Sequence, residues 1–503
     1  MKKTFLTFLL LLPLVAFSQL SFQLQGEVSR MISNELPQGA KVGLIYISLG
    51  FSGTPTVATI SKEDGNTVLI PLNELKRISF FPKNSQEFWQ VKAIENGVYD
   101  NLVQKGVQYD LRLDLERDAL DYLNYLERND LIFNDDYFES YLQTLAFKIY
   151  PGRIEDDRPG NLNFKIVKDN TPNAFAFPNG TIILTTGLLS TFNSEDELIG
   201  VLAHEISHFV LDHSVININL EAQRKRRAEF WAGLATTLAA ATEAYVVSQN
   251  EYYLPGNLTL GTAMLAYSIA ESATERLGLR YSRQQELAAD LCATELMEFI
   301  GIEPTALSSA LEKIKAHFVL KGKYQIFSEI GTHPNIEDRI TEIGVPSKSF
   351  NDAAFDTKIS LFNSYNAILN FNDKHFETAE NLVRRNIRAN VATEEDYVLL
   401  AASIMNMYDS EQKNQEALEL LQKARTLNVY PTVNLPKQEA MAFIRLGRLA
   451  EAKKSLEEYR EALKKEWIEF ENILDPDLNT AIRSFLSEED EWTAKMIQKV
   501  NLL

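Results

Sequence analysis

His204 and His208 stand four residues apart, with Glu205 directly after the first, in the stretch VLAHEISHFVLDH at positions 201–213. On a helix this spacing stacks two imidazoles on one face, where they can grip a single ion. Glu205 is turned by roughly 100° from His204. It can lean over the ion's open side as a base towards water without becoming a ligand. A hydrolytic zinc site also needs a third protein ligand and one open position. Cys292 is the only cysteine, so no intramolecular disulfide is possible and that ligand must be histidine or carboxylate. His213 is out of line: it comes nine residues after His204, and FVLD continues the helix. It is expected to cap or pack at the helix end.

The better third ligand lies in YSRQQELAADLCATELM, where Glu286 and Asp290 share a helix face. Glu286 can ligate, while Asp290 can accept a hydrogen bond from a ligand histidine and set its tautomer. Ala288 and Ala289 leave room for close packing. Spacing alone leaves Glu275 and Glu295 open as alternatives. His317 and His375 sit in amphipathic helical stretches and read as structural.

The elements that must position these groups are legible in outline. Ser194 three residues before Glu197 forms a capping-box pattern at the start of a helix through VLAHEISHFVLDH. Before it, NLNFKIVKD reads as a strand and NAFAFPNGTIILTTGLL as a hairpin turning at Pro178-Asn179-Gly180. Residues 19–113 alternate in short apolar runs, with Asp64-Gly65 as a turn between two of them, and predict a small β-rich domain. Between 217 and 280 lie a basic cluster, Arg224 to Arg227, and two Ala-rich apolar runs that are too short or too broken by Pro255, Gly256 and Asn257 to span a bilayer. They are expected to be buried or groove-lining helices. Beyond Ser347 the pattern is helical pairs, and aligning Ala379, Ala417 and Ala452 gives a period near that of tetratricopeptide repeats.

Composition narrows the function classes. An apolar share of 45% and a charged share of 24% fit a folded chain of several domains. The net charge of −19 argues against nucleic acid as a partner. MKKTFLTFLLLLPLVAFSQ has the basic start, apolar run and small-x-small site of a cleaved export signal over residues 1–18. The expected location is periplasmic, with outer-membrane association at most peripheral.

Four motifs in order, NAFAFPNGTIILTTGLL, DELIGVLAHEISHFVLDH, QQELAAD and THPNIEDRI, resemble those of the HtpX and CAAX-prenyl-protease type family of zinc metallopeptidases, over roughly half of the chain. The resemblance implies an α+β fold: a mainly helical gluzincin-like core with a small sheet at 114–346, after the β-rich domain and before an all-α tetratricopeptide-like domain at 347–503. It implies one Zn2+ ion held by His204, His208 and Glu286, with Asp290 behind them. Asn173, Ala174, Phe175 and Ala176 match the family's edge strand, which pairs with the substrate backbone. His333 and Arg339 match positions over the metal, implying substrate or oxyanion stabilisation. In some periplasmic relatives this histidine caps the metal at rest. The C-terminal repeats resemble the BepA-like branch, which handles outer-membrane proteins during assembly, whereas the β-rich extension departs from the family's simplest pattern.

The expected function is that of an exported zinc endopeptidase for unfolded or misassembled proteins, with Glu205 activating water and protein partners held by the repeats. The rival readings are a repeat scaffold or chaperone with a latent, closed metal site, and a processing protease with one client.

Overall fold

The computed structural model describes residues 19–49, 55–101, 107–152, 162–216, 281–322, 333, 335–346, 348–427, 432–469 and 476–502. The export-signal stretch, the basic cluster at 224–227, both Ala-rich runs and Glu275 lie outside the described residues. No described helix is long and apolar enough to cross a membrane.

The N-terminal strands β1 (Gln19–Val28), β2 (Lys41–Leu49), β3 (Pro55–Lys62), β4 (Thr67–Pro71) and β5 (Ile78–Phe80) form an antiparallel sheet in the order β4-β3-β2-β1-β5. Strict alternation in β1 turns Leu20, Phe22, Leu24 and Val28 inward and leaves the glutamines outside. The Asp64-Gly65 turn joins β3 to β4, with Asp64 Oδ1 accepting from the Asn66 amide at 2.9 Å.

The β-rich reading to residue 113 is too long. Strands end at Phe80, helix Ser85–Glu95 follows, and helix Val107–Arg128 runs across residue 113. The first of these helices escapes periodicity because it is buried nearly all round: Phe88, Trp89, Val91, Ala93 and Ile94 all lie inside. Trp89 donates its indole N–H to the Ile149 carbonyl at 2.7 Å, tying it to helix Asp136–Ile149. One apolar core then runs from Leu20 through Trp89, Leu202 and Leu307 to Phe362. The N-terminal sheet therefore shares an interior with the helix that carries His204 and His208.

A second sheet has the order β6-β8-β7, with β6 (Asn163–Val167) parallel to β8 (Thr181–Thr185) and β7 (Ala174–Ala176) antiparallel to it at the edge. Gly180, at φ +79°, supplies the left-handed turn between β7 and β8. The motif helix Glu195–Val210 is buried without interruption from Glu197 to Val210. Ser194 Oγ accepts from the Glu197 amide at its start, but Glu197 returns its carboxylate to the Asn193 amide at 2.7 Å, one residue earlier than a capping box requires. Gly200 lets helix Thr305–Leu320 come close, since a Cβ there would lie 3.2 Å from Leu307 Cα.

The acidic helix Arg283–Phe299 carries Glu286, Asp290 and Cys292. Burial pushes the Cys292 thiol up to about 12, so at pH 8 its thiolate should be roughly four orders of magnitude below full ionisation. Iodoacetamide is expected to leave the native protein unlabelled at pH 8 and to label it in urea. Stoichiometric labelling of the native form would show that this helix opens.

Beyond residue 352 the chain folds as antiparallel helical pairs: Ser360–Asn372 with Phe376–Arg388, Glu394–Met407 with Glu411–Arg425, and Asn434–Arg445 with Leu449–Glu469, then helix Pro476–Leu502. Ala379, Ala417 and Ala452 are fully buried, each in the second helix of a pair. The first pair is fastened to the segment between β8 and the motif helix. Arg385 donates to the carbonyls of Ser190 and Phe192 and pairs with Asp356. Asn366 bonds Thr186 and Ser190 in the short helix Thr186–Thr191 that follows β8.

Candidate metal centre and catalytic groups

The motif helix and the acidic helix pack together and bring His204, His208 and Glu286 to one point. Their donor atoms, with one from His333, all lie within 4.8 Å of one another. His208 Nε2 stands 3.0 Å from His204 Nε2, and Glu286 carboxylate oxygens stand 3.4 and 3.6 Å from those two nitrogens. His333 turns Nδ1 to the same point, 3.1 Å from Glu286 Oε1 and 3.3 Å from His204 Nε2.

Each ring's other nitrogen is engaged. His204 Nδ1 lies 2.8 Å from Asp290 Oδ1, His208 Nδ1 2.9 Å from His213 Nδ1, and His333 Nε2 3.1 Å from the Ala174 carbonyl. With protons on those outward nitrogens, lone pairs face the shared point. Three imidazoles and a carboxylate in this arrangement fit a divalent ion of the zinc type.

Glu205 sits beside the cluster rather than in it, with Oε1 3.5 Å from His333 Nε2. Its Oε2 is buried without a hydrogen-bond partner among the described residues, and burial raises the carboxyl above its ordinary value. Burial also drives His208 well towards neutrality and His213 down to about 4. Burial opposes ionisation of Glu286, but the charges of His333 and Arg339 outweigh it and hold this carboxylate well below its usual range. Burial likewise disfavours the His333 cation, and Glu286 and Glu205 overcome it, lifting the imidazole to about 9. Metal and proton compete for the same Nδ1 lone pair.

Arg339 lines the groove beside His204, Glu205 and His333. Its guanidinium is buried, forms a two-point pair with Asp290 at 2.7 Å on both arms, and reaches Glu286 Oε2 at 2.8 Å. Its donors are thus engaged by the carboxylates of Asp290 and Glu286. Glu295 is engaged away from the cluster, 2.6 Å from Lys92 Nζ.

His213 packs at the helix end as expected, but by a different route, and Tyr281 is a neighbour that the sequence reading does not name. Helix Glu195–Val210 ends at Val210 instead of continuing through FVLD, and Asp212 takes the left-handed conformation at φ +58°. That reversal brings His213 back against His208. Tyr281 stacks on the His208 ring, with centroids 3.6 Å apart and planes 19° from parallel. No periodic signal marks either contact.

Beside the cluster a groove has Leu188, Val201, Leu307, Leu311, Ile314 and Ile336 for apolar walls and Asn173, Ala174, Glu205 and His333 along one side. β7 is the sheet edge nearest the cluster, and its Ala174 carbonyl already accepts from His333.

Residues 151–346 match the model of peptidase family M48. The chain is 28% identical to a putative beta-barrel assembly-enhancing protease of Vibrio cholerae, over 44% of its own length and 41% of the relative's. It is 24% identical to the beta-barrel assembly-enhancing protease of Escherichia coli K12, over 38% and 36%. With a protease HtpX homolog of Dictyoglomus thermophilum the figures are 31% identity over 35% and 61%. The chain thus spans about two fifths of the length of the first two relatives. Residues 151–346, which carry every donor of the cluster together with Glu205, Asp290 and Arg339, are a domain of peptidase family M48.

Proposed function

We propose that this protein is an exported, zinc-dependent endopeptidase that cuts unfolded or misassembled polypeptides of the bacterial envelope. The observation that carries the reading is the convergence of His204, His208 and Glu286 on one point with Glu205 beside it, whose Oε2 has no hydrogen-bond partner among the described residues. Zinc, when bound, supplies Lewis-acid polarisation and makes water a nucleophile near neutral pH. The chain's own residues do the rest. Glu205 takes a proton from the attacking water and passes it to the departing amine nitrogen. Asp290 and Arg339 hold His204 and Glu286 in place. Asn173 to Ala176, along the edge strand β7, pair with an extended substrate backbone, which favours mobile segments over folded ones. The helical pairs beyond residue 347, read as tetratricopeptide-like repeats, hold protein partners. Residues 1–18 direct export to the periplasm, with peripheral outer-membrane contact. Hydrolysis of casein by wild type, and its loss in Glu205→Gln at unchanged zinc content, is the test.

His333 gives a second reading its footing. It occupies the fourth donor position and the Ala174 carbonyl, both of which a substrate must reach. The resting enzyme is thereby closed, and His333 acts first as a cap. His333→Ala is expected to raise basal casein cleavage roughly tenfold, the factor carried by one charge-assisted hydrogen bond. A fall in rate would make His333 an oxyanion group instead. If neither wild type nor His333→Ala cleaves, the scaffold or chaperone with a closed metal site is the better account.

A further inference from the structure

We infer that His213 is a positioning residue for His208, fixing the tautomer that aims His208 Nε2 at the shared metal point. The inference rests on the reading of His208 as a metal ligand. The two Nδ1 atoms are 2.9 Å apart and both residues are buried. Two imidazole nitrogens form a hydrogen bond only when one carries the proton and the other does not. His208 turns Nε2 towards His204 and Glu286. Its proton therefore belongs on Nδ1, and His213 Nδ1 supplies the accepting lone pair.

The surroundings hold His213 in that pose. Asp212 reverses the chain just before it and pairs with Arg112. Gln285, next to Glu286 on the acidic helix, donates its amide to the His213 carbonyl at 3.1 Å. Tyr281 covers the face of His208 and stops the ring from swinging. The three rings thus use three kinds of acceptor: a carboxylate for His204, a carbonyl for His333 and a neutral imidazole for His208. An uncharged acceptor adds no further carboxylate to a site that already buries Glu205, Glu286 and Asp290 around the Arg339 guanidinium.

The test compares zinc affinity of the full chain, by competition with a chromophoric chelator, in wild type, His213→Leu and His213→Asn. Asparagine Oδ1 lies one bond beyond Cγ, as histidine Nδ1 does, and can accept the same hydrogen bond, whereas leucine cannot. His213→Leu is expected to weaken zinc binding by about 10–100-fold, and His213→Asn to recover most of that loss. Wild-type affinity in His213→Leu, or equal losses in both variants, overturns the inference. Should His213→Leu fail to fold by circular dichroism, 15N NMR of zinc-loaded wild type decides. A protonated His208 Nδ1 beside an unprotonated His213 Nδ1 supports the inference, and the reverse pattern overturns it. Wild type that takes up no zinc sinks the proposed metal centre and this inference together, whereas unchanged affinity in His213→Leu sinks this inference alone.

Discussion

Glu205→Gln is expected to lower casein hydrolysis by roughly 10²–10⁴-fold, the contribution of a positioned general base, while zinc content and thermal stability stay at wild-type values. Two observations separate those effects. Glu205 is not among the four converging donors, so its replacement removes no ligand. Its Oε2 has no hydrogen-bond partner among the described residues, so an amide of equal size breaks no bond there. Glutamine retains the shape but has no basic oxygen for the proton of attacking water. Zinc content by atomic absorption and cleavage by gel-based assay, on the same preparations, give the answer. A variant that cleaves as fast as wild type would remove Glu205 from the chemistry. One that loses zinc as well would make it a ligand. Proteins held but not cut by Glu205→Gln should copurify with it and identify the clients.

The parts of this site that follow from local spacing were legible in the sequence. Four-residue separations on helices put His204 with His208 and Glu286 with Asp290, and the structure brings His204, His208 and Glu286 to one point with Asp290 behind His204. Long-range geometry was not legible. Nothing local says that Arg339 reaches Asp290 and Glu286 with both arms, because that depends on how helix Ile336–Ile343 docks across the acidic helix. A helix unbroken through Asp212 would turn His213 out of line with His208, and the positive φ at Asp212 brings the two rings together instead. The fold follows the same division. Alternation in β1 and the Asp64-Gly65 turn gave away the N-terminal sheet, whereas helix Ser85–Glu95 hid because a helix buried nearly all round shows no clear polar stripe. The continuity of the core from the first sheet to the helix that carries His204 and His208 is a tertiary fact that no window of sequence carries.

Arg339→Met should destabilise chelator-treated protein by about 3–5 kcal/mol, the usual cost of leaving one side of a buried ion pair uncompensated. Asp290 and Glu286 are buried almost completely, and Arg339 supplies two hydrogen bonds to the first and a close ion pair to the second. Methionine fills much of the volume and returns none of that charge. Zinc-loaded variant should suffer less, because the ion neutralises Glu286 directly but leaves Asp290 short of its partner. Arg339→Lys should fall between, since a single ammonium cannot match the two-point geometry on Asp290. The pH dependence has a definite sign. In wild type, burial raises both carboxyls, but positive neighbours, Arg339 among them, more than reverse it, so each sits below its ordinary value. A depressed folded-state pKa contributes stability above the unfolded value, near pH 4, and loses it as pH falls through the folded one. Removing Arg339 lets burial lift these carboxyls, so the folded variant takes up protons earlier than wild type on acidification. The stability gap between the two proteins should therefore be widest near neutral pH and narrow as pH is lowered towards 4. Urea midpoints at a series of pH values read it directly. A gap under about 1 kcal/mol, the scale of an exposed pair, or one that does not change with pH, would mean that the guanidinium is held by packing and that the ligand carboxylates owe their charge to something else.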